Sequence, residues 1–194
     1  MNLQTIFPIT IATFDIQSVH DSYNNIENFL YDQDYVDLND RGGYSVDQDI
    51  LNAEILKPVK EEIEKCINAY KLNLGHDVQD IKIATSWCNI LETGNSLDIH
   101  SHANSYISGV LHFTEGSDLV FHEPETKSLF GLETYYNATE YRIPAKIGQV
   151  VLFPSLLKHN VASNEDIKHR LSIAFNTWPL VYGTETSKVN LKEI

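Results

Sequence analysis

Across residues 51–70 the apolar side chains Leu51, Ile55, Val59, Ile63 and Ile67 return at every fourth position, with Glu61, Glu62 and Lys65 between them. That spacing draws one stripe down one side of an α-helix and predicts an amphipathic helix whose role is to support a sheet. Pro58 interrupts the pattern and fits only the first turn of the main helical piece, where a missing N–H costs nothing. Upstream, residues 32–45 are rich in Asp, Asn and Gly. Within them Gly42-Gly43-Tyr44-Ser45 reads as a turn leading into the helix, with Ser45 as its N-cap. Residues 6–16 gather β-branched and aromatic side chains around Pro8, which suits an edge strand that opens the sheet.

After Gly75 the period shortens to two. The runs 81–90, 97–102, 107–113, 119–122, 149–153 and 171–175 alternate or are densely β-branched. Short strands separated by turn-like breaks predict a β-sandwich or barrel. Residues 123–140 alternate too little for a strand and are expected to form a lid over a binding site. A chain of 194 residues, 42% hydrophobic, suits one domain. Its expected parts are a helical segment at about 20–75 and a β core at about 80–178.

Charge narrows the partners. With 14 basic against 27 acidic side chains the net charge is −13, which repels a phosphate backbone and argues against nucleic acid. The amino terminus lacks a basic region followed by an apolar run, and no stretch approaches the length of a membrane span. A cytoplasmic, soluble protein is expected, and edge strands with exposed tyrosines would allow a homodimer. Cys66 and Cys88 fall in a predicted helix and a predicted strand without CxxC spacing, so both are read as buried thiols.

The candidate chemistry centres on Gly94-Asn95-Ser96-Leu97-Asp98-Ile99-His100-Ser101-His102. Alternate residues of a strand share a face, so His100 and His102 point together, with Asp98 in the same alternation. A third imidazole, His159, would have to arrive from a facing strand. Neutral imidazoles suit iron, zinc, copper or nickel, whereas magnesium and calcium prefer oxygen. Farther on, Arg170, Ser172 and Ala174 share one face of a strand-like run, and an Arg fork beside a hydroxyl is a good carboxylate receptor. Asn89 is read as a weaker pocket residue, and Trp87, two positions earlier, as core. His112 and His122 are expected to be hydrogen-bonded structural residues. Tyr106 and Asn104 lie close enough to the metal strand to reach substrate. His20, His76 and His169 are read as solvent-facing.

Taken together, four stretches resemble the 2-oxoglutarate and iron(II)-dependent oxygenase superfamily, in particular small oxygenases of bacteria and marine phages. They are Gly42-Gly43-Tyr44-Ser45; His100-Ser101-His102 with Ser108-Gly109-Val110; Pro144-Ala145-Lys146-Ile147-Gly148-Gln149-Val150-Val151-Leu152-Phe153-Pro154; and His159 with Arg170 and Ser172. The resemblance implies a mainly β fold with flanking helices, a double-stranded β-helix or jelly roll, cupin-like in shape. It implies iron(II) held by His100 and His159, and 2-oxoglutarate held by Arg170 and Ser172; Asn89, from its place on the preceding strand, is a further co-substrate candidate. It further implies dioxygen as co-substrate, release of succinate and carbon dioxide, and hydroxylation of a C–H bond in a prime substrate that the sequence does not name. Most members carry Asp or Glu where this chain has His102. Either three histidines bind the metal, or His102 stands aside and water or Asp98 fills the position; the three-histidine set is preferred. A cupin-type metalloenzyme that does not use 2-oxoglutarate is the rival reading, suggested by Gly94 ahead of His100-x-His102. Ser105, Tyr106 and Ile107 stand where a cupin would carry its Glu. A non-catalytic β-helix binding module is the third reading.

Overall fold

The computed structural model describes residues 8–38, 42–75, 79–123, 139–166, 168–183 and 189–193. Its elements, in chain order, are β1 (Ala12–Asp15), α1 (Gln17–Tyr31), β2 (Tyr35–Asp37), β3 (Gly42–Ser45), α2 (Lys57–Asn73), β4 (Gln79–Leu91), β5 (Leu97–His100), β6 (Ile107–His112), β7 (Leu119–His122), β8 (Glu140–Ile143), β9 (Gln149–Pro154), β10 (His159–Val161), β11 (Arg170–Tyr182) and β12 (Val189–Asn190). The larger sheet runs β1-β9-β6-β11-β4-β3-β2, with β12 attached to β11; the smaller runs β5-β10-β7-β8. All pairings between these strands are antiparallel.

The larger sheet is covered on both faces, and alternation along its strands decides which side chain goes where. One face carries Leu111, Phe113, Val150, Leu152, Leu171, Ile173 and Phe175, which form a core with Val59, Ile63 and Ile67 of α2 and Val19, Ile26 and Leu30 of α1. The opposite face carries Leu91, Val110, Val151 and Phe153, packed against Leu119, Phe121, Ile143 and Val161 of the smaller sheet. Every residue of β6 is therefore buried. The mainly β architecture, two antiparallel sheets face to face with helices flanking one, is the one expected.

Several local expectations change. Pro58 does sit in the first turn of α2, but two short 3-10 turns, Ile50–Asn52 and Glu54–Leu56, precede it and shift the helix start to Lys57. Gly42–Ser45 is a strand rather than a turn, paired between β2 and β4. Gly42 has φ of +114°, and a Cβ there would lie 2.1 Å from the Ile90 carbonyl oxygen, so only glycine allows this approach to β4. Ser45 caps no helix. It is buried, and its hydroxyl accepts the Cys88 N–H at 2.9 Å while donating to the Asp47 carbonyl at 2.7 Å. The edge strand expected at residues 6–16 is shorter, β1, and pairs with β9. Helix α1 was not individually legible: its N-cap position is Ile16, which supplies no side-chain cap. The Glu62 carboxylate of α2 does so instead, accepting the Gln17 and Ser18 N–H groups at 2.8 and 3.1 Å. The proposed lid at 123–140 falls mostly outside the described residues. Cys66 is half-buried and Cys88 buried, both as free thiols. Among the described residues no helix is long and apolar enough to cross a membrane.

Candidate active site

β5 and β10 are neighbours in the smaller sheet, and their register sets His159 opposite His100. His159 thus arrives from the adjoining strand, not a facing one, because β10 inserts between β5 and β7. His102 lies just beyond the end of β5, held by its N–H to the Ser155 carbonyl at 2.9 Å. The result is a triangle of rings, with centroids 4.4 Å apart for His100 and His159, 5.1 Å for His102 and His159, and 5.2 Å for His100 and His102. One ligand nitrogen from each lies within 4.8 Å of the others. Asp98 is exposed and stands outside the cluster.

Two rings have their tautomer fixed by the backbone. His100 Nδ1 lies 2.7 Å from the Asp98 carbonyl and His159 Nδ1 lies 2.9 Å from the Leu157 carbonyl. A carbonyl only accepts, so each Nδ1 carries a proton, and in the neutral ring Nε2 is the nitrogen that keeps a free lone pair. Burial pulls the His159 and His102 rings down to about 4, with neighbouring imidazoles pushing the same way. Both are therefore neutral near pH 7, the form a metal needs.

On the facing side of the larger sheet, β11 presents Arg170, Ser172, Ala174 and Asn176 inward. Their cross-strand partners are Leu91, Asn89, Trp87 and Thr85 on β4, and His112, Val110 and Ser108 opposite Ser172, Ala174 and Asn176 on β6. Arg170 is 1% exposed, and no carboxylate pairs with it among the described residues. Nη1 donates to Ser172 Oγ at 2.8 Å and Nη2 faces His112 Nδ1 at 3.4 Å. Burial lowers the guanidinium from its ordinary 12.5 to about 10. His112 lies well below its usual range, first through burial and then through Arg170 beside it, so its Nδ1 is an acceptor. Arg170 Nε and His112 Nε2 are buried without a hydrogen-bond partner. An unpaired buried cation and orphaned donors are costly unless an anion completes them.

Of the residues singled out from sequence, His100, His102 and His159 come together, as do Arg170 and Ser172, with Asn89 cross-strand from Ser172. Trp87 is not core: it is half-buried, 5.8 Å from the His102 ring, and its indole N–H donates to Asn89 Oδ1 at 3.1 Å. His112 is more than a satisfied structural histidine, since it abuts Arg170 with one nitrogen unpaired. His122 does bond structurally, to Asn160 at 2.7 Å. Tyr106 packs into the helix-side core, while Asn104 is exposed. His20 and His169 are on the surface, paired with Asp15 and Glu92. His76 lies outside the described residues. Asn176 was missed, although it continues the alternation of Arg170, Ser172 and Ala174 by one step.

A triad of imidazoles on one sheet, facing a buried guanidinium on the other, offers nitrogen donors to a metal ion and a cationic seat to a carboxylate. Residues 85–176, a little under half of the chain, match the family described as "Putative 2OG-Fe(II) oxygenase". The matched stretch contains all three histidines, Arg170 and Ser172. Solved structures agree on the fold. The α-ketoglutarate-dependent epimerase SnoN from nogalamycin biosynthesis is 10% identical, with a TM-score of 0.66 over 91% of this chain and 82% of that one. HygX from Streptomyces hygroscopicus, with nickel and 2-oxoglutarate bound, is 12% identical, with a TM-score of 0.62 over 88% and 83%. A prolyl-4-hydroxylase from Pseudomonas putida is 13% identical, with a TM-score of 0.61 over 88% and 93%. Comparison with curated protein sequences gives no significant match. Iron(II) and 2-oxoglutarate are the metal and co-substrate that the matched family's description names, and the local chemistry fits both: three imidazole nitrogen donors for the ion, and an unpaired guanidinium with orphaned N–H groups for a carboxylate.

Proposed function

We propose that the protein hydroxylates a C–H bond of its prime substrate, with His100, His102 and His159 holding iron(II) through their Nε2 atoms. Arg170 and Ser172 hold the distal carboxylate of 2-oxoglutarate, His112 completes the donor set, and Asn89 flanks it. When bound, the ion and 2-oxo acid supply the oxidising chemistry: dioxygen is consumed, 2-oxoglutarate gives succinate and carbon dioxide, and one oxygen atom enters the substrate C–H bond. The three histidines would hold the ion and leave it accessible to the 2-oxo acid and dioxygen. Ala174 lies in register between Ser172 and Asn176, and its small side chain leaves room for the carbon chain of the co-substrate. Trp87 shields the His102 side from water, while exposed His100 marks the side from which substrate enters.

The observation that carries this reading is the free Nε2 on two imidazoles paired across β5 and β10, on the sheet facing a buried guanidinium that lacks a carboxylate. Anaerobic addition of iron(II) and 2-oxoglutarate is expected to give a visible metal-to-2-oxo-acid charge-transfer band, with succinate released on admitting air. Iron binding without that band would leave a metal-binding module and defeat the proposal.

A further inference from the structure

Two of the three imidazoles are oriented by backbone carbonyls, whereas His102 faces a side chain. Its Nδ1 lies 3.5 Å from the Asn176 carboxamide. The other end of that carboxamide lies 2.6 Å from Ser108 Oγ, from which a run of hydroxyls leads away: Ser108 to Ser155 at 2.8 Å, Ser155 to Ser105 at 2.9 Å, and Ser105 to the Thr177 carbonyl at 3.1 Å. Ser108 and Ser155 are each 1% exposed, so these contacts are sheltered from solvent.

Keeping the Ser105 contact to the Thr177 carbonyl, which also accepts the Tyr106 N–H at 2.9 Å, gives this run one direction. The Thr177 carbonyl can only accept, so Ser105 gives it its single hydroxyl proton, Ser155 donates to Ser105, and Ser108 donates to Ser155. No proton then remains on Ser108 for the carboxamide, and the amide group facing it has to be the NH2. With Oδ1 turned to Ser108 and Nδ2 to His102, Asn176 leaves three hydroxyl protons for four contacts. It also sets an N–H against a ring nitrogen and so moves the His102 proton onto Nε2, the atom that faces the other two imidazoles. A half-turn of the carboxamide exchanges N and O with little movement of the atoms and satisfies every contact.

We propose that Asn176 is the positioning residue of His102: its side-chain oxygen accepts the Nδ1–H, and the Ser108–Ser155–Ser105 run holds it in that sense. His102 is thereby given the tautomer that its two partners receive from the backbone. The inference rests on the reading of His102 as a metal ligand. It explains how an imidazole, which has two tautomers, serves where a carboxylate would need no such control.

The test uses the metal-free protein first. Nitrogen-15 correlation spectra of its histidine side chains at pH 7.5 are expected to show His102 protonated at Nδ1, like His100 and His159. Asn176→Ala is expected to lose that preference and to bind nickel(II), titrated by calorimetry, ten- to a hundredfold more weakly. Asn176→Asp, which keeps the acceptor towards His102 and lets the serine run reverse by giving up the Ser105 contact to the Thr177 carbonyl, is expected to retain both. An Nε2–H tautomer in the wild type, or unchanged nickel affinity in a folded Asn176→Ala when His102→Ala binds poorly, overturns the positioning role alone. Full nickel affinity in His102→Ala removes the ligand reading and the inference with it.

Discussion

Arg170 is the buried residue whose partners are least complete. Its guanidinium is buried, donates to Ser172, abuts a neutral His112 and finds no carboxylate among the described residues. A buried charge completed by nothing ionic costs stability, and an apolar replacement of similar length removes that cost. Arg170→Met is therefore expected to match or exceed the wild type in thermal midpoint without ligand, and to lose the upward shift that 2-oxoglutarate gives the wild type in the presence of nickel(II). Differential scanning fluorimetry with and without 2-oxoglutarate checks both halves; a retained ligand shift would detach Arg170 from co-substrate binding. The sequence made this residue legible because Arg-x-Ser in a strand puts fork and hydroxyl on one face. What it did not show was His112 on the neighbouring strand, since β6 and β11 are joined only by register.

At the level of elements, two contacts made over long sequence distances carry weight. Helix α1 has its first N–H groups satisfied by Glu62 of α2. Glu62→Ala is expected to lower unfolding free energy by about 1 kcal/mol, the usual worth of a cap. Glu62→Gln, which keeps an acceptor but no charge, is expected to lose less. Urea denaturation followed by circular dichroism measures both, and equal losses would argue against the charge contribution. The second contact is in the sheet: a Cβ on Gly109 of β6 would lie 2.2 Å from the Phe175 ring, which covers this glycine from β11. Gly109→Ala should destabilise by about 1–3 kcal/mol through overpacking. Gly109→Ala with Phe175→Leu should recover part of that loss; if the double variant is the sum of the two single ones, the ring is not the obstacle. The helix α2 was legible from its period of apolar residues, because the stripe is local. The strands β8 and β10 were not, since Glu140–Ile143 is exposed at three of its four positions and His159–Val161 is only three residues long; their pairing with β7, rather than their composition, makes them strands.

For the whole molecule, the histidines couple stability to pH. His102 and His159 are held at about 4 against an ordinary 6.5, and His112 well below it, chiefly by burial. Below 6.5 the unfolded chain therefore takes up protons that the folded one refuses, so the stability of the metal-free protein falls as pH drops from about 6.5 towards 4. The acidic surface works in the opposite direction, because losing charge relieves self-repulsion, and that part is screened in 1 M salt, where the Debye length is about 3 Å. Thermal midpoints of chelator-treated protein in 1 M salt should fall across that interval; a level profile would mean that these rings are not buried neutral. The sequence by itself determined the mainly β class, the supporting helix, and which residue types were available for the metal and the carboxylate. It could do so because periodicity and the donor chemistry of a side chain are local properties. Tertiary structure decided that His159 lies beside His100, that Glu62 caps a helix 45 residues earlier, that Trp87 faces the site rather than the core, and that Asn176 meets His102. Those outcomes depend on strand order and register, which arise from packing between segments far apart in the chain and leave no periodic trace within any one of them.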